Sequence, residues 1–226
     1  MCNPACIDFG RRALAPAEVA GKDVLEVGSM DVNGSLRAGV EALAPRSYTG
    51  VDLAMGPGVD EVCAGEDLVK RFGPDSFDLV LCTEMLEHVR DWRVVVHNLK
   101  ALVRPGGVLL VTTRSRGFPY HEYPFDYWRY EADDVRRIFA DFALEVVEPD
   151  TFMPGIFFKA RKPASGWEEA AIDDVRLWSI VAARRTPRVT EADLALFRVR
   201  YPIERLLKAL VPQPVKDFVK GLLPGR

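Results

Sequence analysis

The sequence predicts an α/β protein with a doubly wound, mostly parallel sheet, and three observations carry that prediction. Short apolar runs alternate with amphipathic segments from residue 23 to about 140, the rhythm of strands joined by helical crossovers. The first run, Asp23 to Val27, stops at Gly28 and leads through the loop GSMDVNGS into a helical pattern with Leu36, Val40 and Leu43 apolar. The second run, YTGVDL, places a carboxylate, Asp52, at its end. Ligands in such a sheet sit beyond the carboxyl ends of the strands, so both run ends belong to a binding site. Gly28 lets backbone and ligand approach closely. Asp52 can accept two hydrogen bonds from a ribose diol.

The elements follow in order. Residues 5–20 read as a leading helix with Ile7, Leu14 and Val19 apolar, broken or restarted at Pro16. Strands are expected at 23–28, 47–53, 59–64, 77–83 and 107–113, and helices near 34–43, 66–72, 91–103 and 131–140. FALEVVEP and GIFFKARKP, joined through Pro-Gly, read as a hairpin that completes seven strands, one of them antiparallel. LWSIVAARR at 177–185 competes for the last-strand role and reads as an added element. The expected organisation is a domain over 1–163, opened by the helical segment 1–21, and a C-terminal extension over 164–226. Within the extension Val215, Phe218, Val219, Leu222 and Leu223 have helical spacing near Lys216 and Lys220. That helix packs on its own domain, makes a homodimer or partner contact, or lies on a membrane surface.

Composition narrows the function. The chain has 226 residues, 48% apolar and 28% charged, which suits a globular protein with one α/β domain and an appendage. Thirty basic against 33 acidic residues give a net charge of -3, which argues against nucleic acid as partner. There is no apolar run of membrane-spanning length and no signal-peptide core, so a cytoplasmic location is expected. Four cysteines do not suggest a disulfide framework: Cys63 and Cys82 fall in core strands, and Cys2 and Cys6 supply only two ligands. No metal is expected.

A ribose-binding acid after a glycine turn would also serve NAD. The dinucleotide fingerprint, however, needs G-x-G-x-x-G, and this loop has Met30 and Val32 where glycines belong. Glu26 would also repel a pyrophosphate.

Residues 22 to about 163 resemble the class I S-adenosylmethionine (SAM)-dependent methyltransferases of the small-molecule type 11 kind. Glu26-Val27-Gly28 is similar to the start of the family's acid-x-Gly-x-Gly-x-Gly motif, and Asp52 to its ribose-binding acid. FDLVLCTEMLEHV (77–89) is similar to its fourth strand and turn, and LVRPGGVLLVTT (102–113) to its fifth strand. The resemblance implies a Rossmann-like fold, SAM as cofactor with S-adenosylhomocysteine as product, and a leading segment over the pocket. It implies cofactor contacts from Glu26, Gly28, Ser29, Asn33, Gly34, Asp52, Leu53, Glu66, Asp67 and Thr83. The later glycines of the motif are missing, with Asn33 and Gly34 in their place. Ala64 stands where the family often has an Asp for the adenine amino group, leaving Glu66, Asp67 or backbone groups to substitute.

SAM carries its own reactive methyl, so the protein must mainly align nucleophile and methyl, and an oxygen nucleophile also needs a base. The densest polar stretch is RSRGFPYHEYPFDYWRY, residues 114–130, at the end of the fifth strand. It reads as a substrate lid with His121 as base and Tyr120, Tyr123, Tyr127, Trp128 and Arg129 on the acceptor; as an aromatic plug; or as a protein-contact loop. Glu84, after the fourth strand, is a second catalytic candidate, although it could equally cap a helix. His88 reads as structural and His97 as a surface or packing residue. The amino-methylating Asn/Asp-Pro-Pro-Tyr motif and the cytosine-5 Pro-Cys nucleophile are absent. A small molecule or glycan methylated at oxygen rather than nitrogen is therefore expected, the alternative being a non-catalytic SAM-binding partner subunit.

Overall fold

The computed structural model describes residues 3–122 and 125–210. The chain divides into two compact units, up to Arg188 and from Val189 onward. In the first, helix α1 (Pro4–Ala13) begins where the Asn3 side chain accepts from the Cys6 N–H at 2.9 Å, and Pro16 starts a separate 3-10 turn, Pro16–Glu18. Strands β1 (Asp23–Val27), β2 (Ser47–Asp52), β3 (Glu61–Val62), β4 (Phe77–Thr83) and β5 (Val103–Arg114) follow, with α2 (Arg37–Glu41), α3 (Leu68–Phe72) and α4 (Trp92–Leu102) between them. Then come β6 (Trp128–Arg129), α5 (Ala132–Ile138), β7 (Ala143–Pro149) and β8 (Gly155–Arg161).

The seven-stranded sheet runs β3-β2-β1-β4-β5-β8-β7, and β8 alone is antiparallel to its neighbours. This is the doubly wound, Rossmann-like arrangement that the strand rhythm predicts, hairpin included. Strand alternation sends Leu79, Leu81, Val108 and Leu110 to one face, where they form a core with Phe9, Leu36, Val40 and Phe157. Val80, Leu109 and Val111 are buried as well, as are Trp92, Val95, Val96 and Leu99 of α4. Each such side chain contributes about 1.5–3 kcal/mol over leaving it in water.

The run at 177–185 becomes a hairpin, β9 (Leu177–Ser179) and β10 (Arg184–Thr186), and β9 pairs with β6 in a separate three-stranded sheet. Arg93 of α4 donates to the carbonyls of Ile172 (3.4 Å), Asp173 (3.5 Å), Val175 (2.5 Å) and Pro187. Residues 164–188, assigned to the extension by the sequence, are thus tied into the first unit.

The second unit contains α6 (Glu191–Leu210), a helix that the sequence reading did not foresee. Thr190 and Asp193 cap it reciprocally: Asp193 Oδ2 accepts from the Thr190 N–H (2.9 Å), and the Asp193 N–H donates to Thr190 Oγ1 (3.2 Å). The helical run at 215–223 lies outside the described residues, as do Cys2 and Tyr123. No described helix is long and apolar enough to cross a membrane.

Candidate functional site

Sheet order reverses between β1 and β4, and at their carboxyl ends lies a cleft of about 600 Å³. Val27 and Gly28 at the end of β1, Asp52 and Leu53 at the end of β2, and Glu84 and Met85 after β4 line it, with Met30, Gly65, Glu66, His88, Arg90, Phe125 and Tyr127. A volume of this size suits a nucleoside-sized ligand.

Asp52 is set as the sequence predicts. Its Oδ2 accepts from the Met30 N–H at 3.0 Å and its Oδ1 from the Leu53 N–H at 2.7 Å, so each oxygen keeps a lone pair for a ligand. Gly28 has φ of +78°, a left-handed conformation that L side chains rarely adopt. An added Cβ there would meet Met85 Cβ at 2.7 Å, so glycine is required by the turn against Met85 as well as by its place on the cleft wall.

Other members of the expected cofactor set do different work. Ser29 is 2% exposed and packs against Gly50, where an added Cβ would come 2.7 Å from Ser29 Oγ. Gly34 donates its N–H to Asp31 Oδ1 at 2.9 Å, closing the loop, while Asn33 is exposed. Thr83 is buried in the sheet opposite Thr112, and Asp67 is exposed with its carboxylate 3.9 Å from Lys70. Ser29, Asn33, Gly34, Thr83 and Asp67 are therefore off the cleft wall, and Glu66, Leu53, Asp52 and Gly28 are on it.

Glu26 is also off the wall. It is 1% exposed and accepts from Tyr48 Oη at 2.5 Å, a bond between neighbouring strands. Burial pushes its carboxyl up to about 7 from 4.5, against the pull of the Tyr48 hydrogen bond. Between those values the folded chain holds a proton that the unfolded chain releases. The stability this group contributes is therefore complete below about 4.5 and is lost as pH rises through about 7. Glu26→Gln, which cannot ionise, should lack this loss. Denaturant unfolding of both proteins from pH 4 to 8 should show the variant gaining on the parent by about 3 kcal/mol. A stability difference that stays flat with pH would show that Glu26 remains ionised.

Glu84 sits one residue past β4 with φ of +54°, a strained conformation of the kind that collects at functional sites. It is 4% exposed, its N–H donates to the Thr112 carbonyl at 2.8 Å, and its Oε2 pairs with Arg114. Oε1 makes no hydrogen bond of ordinary geometry within the described residues. Burial first, and then the charge of Glu87, hold the carboxyl well above the usual carboxylate range, against Arg114. Arg114 in turn reaches Asp150 Oδ2 at 3.0 Å, which fixes Glu84 to the turn between β7 and β8.

The aromatic stretch divides between wall and support. Tyr127 lines the cleft, held by its N–H on the Glu87 carbonyl at 2.8 Å, and Phe125 lies beside it. Trp128 is fully buried and donates Nε1–H to the Val89 carbonyl at 2.8 Å. Arg129 is 1% exposed, clamped on Asp126 at 2.5 and 2.7 Å and on the Pro119 carbonyl at 3.1 Å. The Tyr120 hydroxyl donates to Glu122 Oε1 at 3.3 Å. Trp128, Arg129 and Tyr120 thus build the loop and do not line the cleft, because the loop's backbone needs internal anchors.

His121 also stands behind the wall. Its Nδ1 is 3.0 Å from Asp126 Oδ2, and its ring meets His88 edge-on with centroids 4.7 Å apart. His88, read from sequence as structural, is the histidine that lines the cleft, with Nδ1 donating to the Phe125 carbonyl at 2.5 Å. Glu87 completes the group: fully buried, Oε2 accepting from Thr113 Oγ1 at 2.9 Å, and Oε1 3.9 and 3.8 Å from the Nε2 atoms of His88 and His121. Arg90, Met85 and Phe125 were missed as wall residues as well. The signal for them was their place after β4 and β5, where every turn faces the ligand side.

A family model described as a methyltransferase domain matches residues 3–146. A ubiquinone biosynthesis O-methyltransferase of Chromobacterium violaceum is 39% identical over 128 residues, 50% of this chain and 52% of that protein. The chain thus spans about half the length of the curated relatives it matches. Among solved structures, a SAM-dependent methyltransferase from Mesorhizobium loti aligns with TM-score 0.56 at 18% identity, over 71% of this chain and 99% of that one. The 1,6-didemethyltoxoflavin-N1-methyltransferase of Burkholderia thailandensis, solved with its substrate and S-adenosylhomocysteine, aligns with TM-score 0.57 at 19% identity, over 71% and 80%. These two likenesses show the fold.

Proposed function

Because this chain belongs to the methyltransferase-domain family, we propose that it is a SAM-dependent enzyme that methylates an oxygen of a small-molecule acceptor in the cleft beyond β1, β2 and β4. The observation that carries this reading is Glu84: a strained residue on the cleft wall whose buried carboxyl has one oxygen paired with Arg114 and the other without a hydrogen bond of ordinary geometry, beside the Thr112 side chain. That is the equipment an alcohol or phenol acceptor needs and an uncharged amine does not.

The residues present fit the cofactor. Asp52 has free lone pairs for the ribose hydroxyls, and Met30, Leu53 and Met85 offer apolar surface. Asp52 and Glu66 outnumber Arg90 among the charged wall residues, which favours a cationic guest. When bound, SAM supplies a methyl on a sulfonium, open to in-line displacement. Asp52 holds the ribose end, Glu66 and the backbone at Gly65 stand where the adenine ring would be held, and Phe125 and Tyr127 cover the acceptor side. Glu84 would accept the proton of an acceptor hydroxyl brought against its buried carboxyl. Arg114 keeps the carboxyl aimed throughout. The name of the Chromobacterium violaceum relative supports oxygen as the acceptor atom.

Incubating the protein with SAM and a panel of hydroxylated and amino acceptors tests this. The expected result is S-adenosylhomocysteine release with a one-methyl mass gain on a hydroxylated compound. Turnover confined to amines would remove oxygen from the reading, and cofactor binding without turnover on any acceptor would favour a partner subunit.

A further inference from the structure

We propose that Glu87, His88 and His121 form a binding site for one divalent first-row transition cation in the wall of the cleft. The three side chains come from two loops, the 3-10 turn Leu86–His88 after β4 and the stretch after β5. Their ligand-capable atoms lie within 4.8 Å of one another.

The orientation of each group favours a cation. Glu87 is fully buried, Thr113 anchors its Oε2, and its Oε1 has no hydrogen-bond partner among the described residues. A buried carboxylate oxygen is costly to leave unpaired, and this one points between two imidazoles. His88 donates Nδ1–H to the Phe125 carbonyl, which leaves the Nε2 lone pair free. The Nδ1 of His121 lies 3.0 Å from the Asp126 carboxylate, outside hydrogen-bond geometry, and its Nε2 lies 3.8 Å from Glu87 Oε1. Metal-bound histidines are commonly held as His88 is, with the second nitrogen on a carbonyl or a carboxylate.

Ligands about 2.1 Å from a tetrahedral ion stand about 3.4 Å apart. The two Glu87–histidine separations of 3.8 and 3.9 Å are close to this, and with all three groups within 4.8 Å the imidazoles must draw together on binding. Two imidazoles with one carboxylate suit Zn2+, Fe2+, Co2+ or Mn2+ better than Mg2+ or Ca2+. Three protein ligands leave positions open, and His88 lines the cleft, so an acceptor oxygen could occupy one. That use rests on the methyl-transfer reading; the site itself does not.

The test is a Co2+ titration of the chelator-treated full chain, followed by visible absorption, with S-adenosylhomocysteine calorimetry run separately. The expected result is saturation at one Co2+ per chain with ligand-field bands, and affinity at least about tenfold weaker in His121→Gln and in Glu87→Gln. Circular dichroism and S-adenosylhomocysteine binding check that each variant is folded. His121 is partly exposed, so its variant decides the matter if Glu87→Gln does not fold. No saturable Co2+ binding by the folded parent would overturn the site and leave Glu87 and the histidines as a hydrogen-bonded relay. Unaltered Co2+ affinity in a folded His121→Gln protein would overturn it too. Co2+ binding without S-adenosylhomocysteine binding would instead sink the methyl-transfer reading and leave the cation site standing.

Discussion

Glu84→Gln is expected to lower turnover by roughly 10²–10⁴, the usual worth of a positioned general base, with S-adenosylhomocysteine affinity nearly unchanged. The glutamine keeps the size of the side chain and cannot take a proton. Arg114 would lose one partner but keep Asp150, so the fold should survive. Steady-state kinetics beside calorimetry would separate the two effects, since a base acts on kcat and a cofactor ligand on binding. Full turnover in a folded variant would show that the acceptor needs no base from Glu84. The sequence expected His121 in this role beside Glu84. With His121 behind His88, its removal should act through the Glu87 cluster and not by direct proton transfer.

The fold was legible because its signals are local. Leu79 to Cys82 are buried on both faces and form a continuous apolar run, and Val24, Leu25 and Val27 are buried likewise, interrupted only by Glu26. Pro16 and the Pro-Gly between β7 and β8 mark their breaks through backbone chemistry alone. The helix from Glu191 was missed although Thr190-Glu191-Ala192-Asp193 spells a capping box, because Pro202 interrupts the pattern that follows.

The site was legible only in part, and the division is physical. Asp52, Gly28 and Glu84 lie at strand ends, whose direction the sheet dictates. Which side of a loop faces the cleft depends instead on contacts made far along the chain. Trp128 is turned inward by the Val89 carbonyl, and Arg129 by Asp126 and Pro119. Glu26 matched a motif position, yet Tyr48 on the neighbouring strand claims its carboxyl. His88 does tie down the loop through the Phe125 carbonyl, as a structural residue would, but its place on the wall was invisible in sequence. Composition cannot reveal such pairings.

The central claim is that the cleft beyond β1 and β2 holds SAM through Asp52. Two backbone N–H groups already fix that carboxylate, so Asp52→Ala should remove the ribose contacts while leaving most of the wall in place. Hydrogen bonds to a charged group are each worth about 1.5–3 kcal/mol, and the variant should lose at least that much affinity, about tenfold or more. Calorimetric titration of the parent and of Asp52→Ala with S-adenosylhomocysteine, and of the parent with NADH, measures this directly. The account predicts one S-adenosylhomocysteine per parent chain, clearly weaker binding in the folded variant, and no heat with NADH. Equal affinity in the two proteins, or NADH binding in place of S-adenosylhomocysteine, would contradict it.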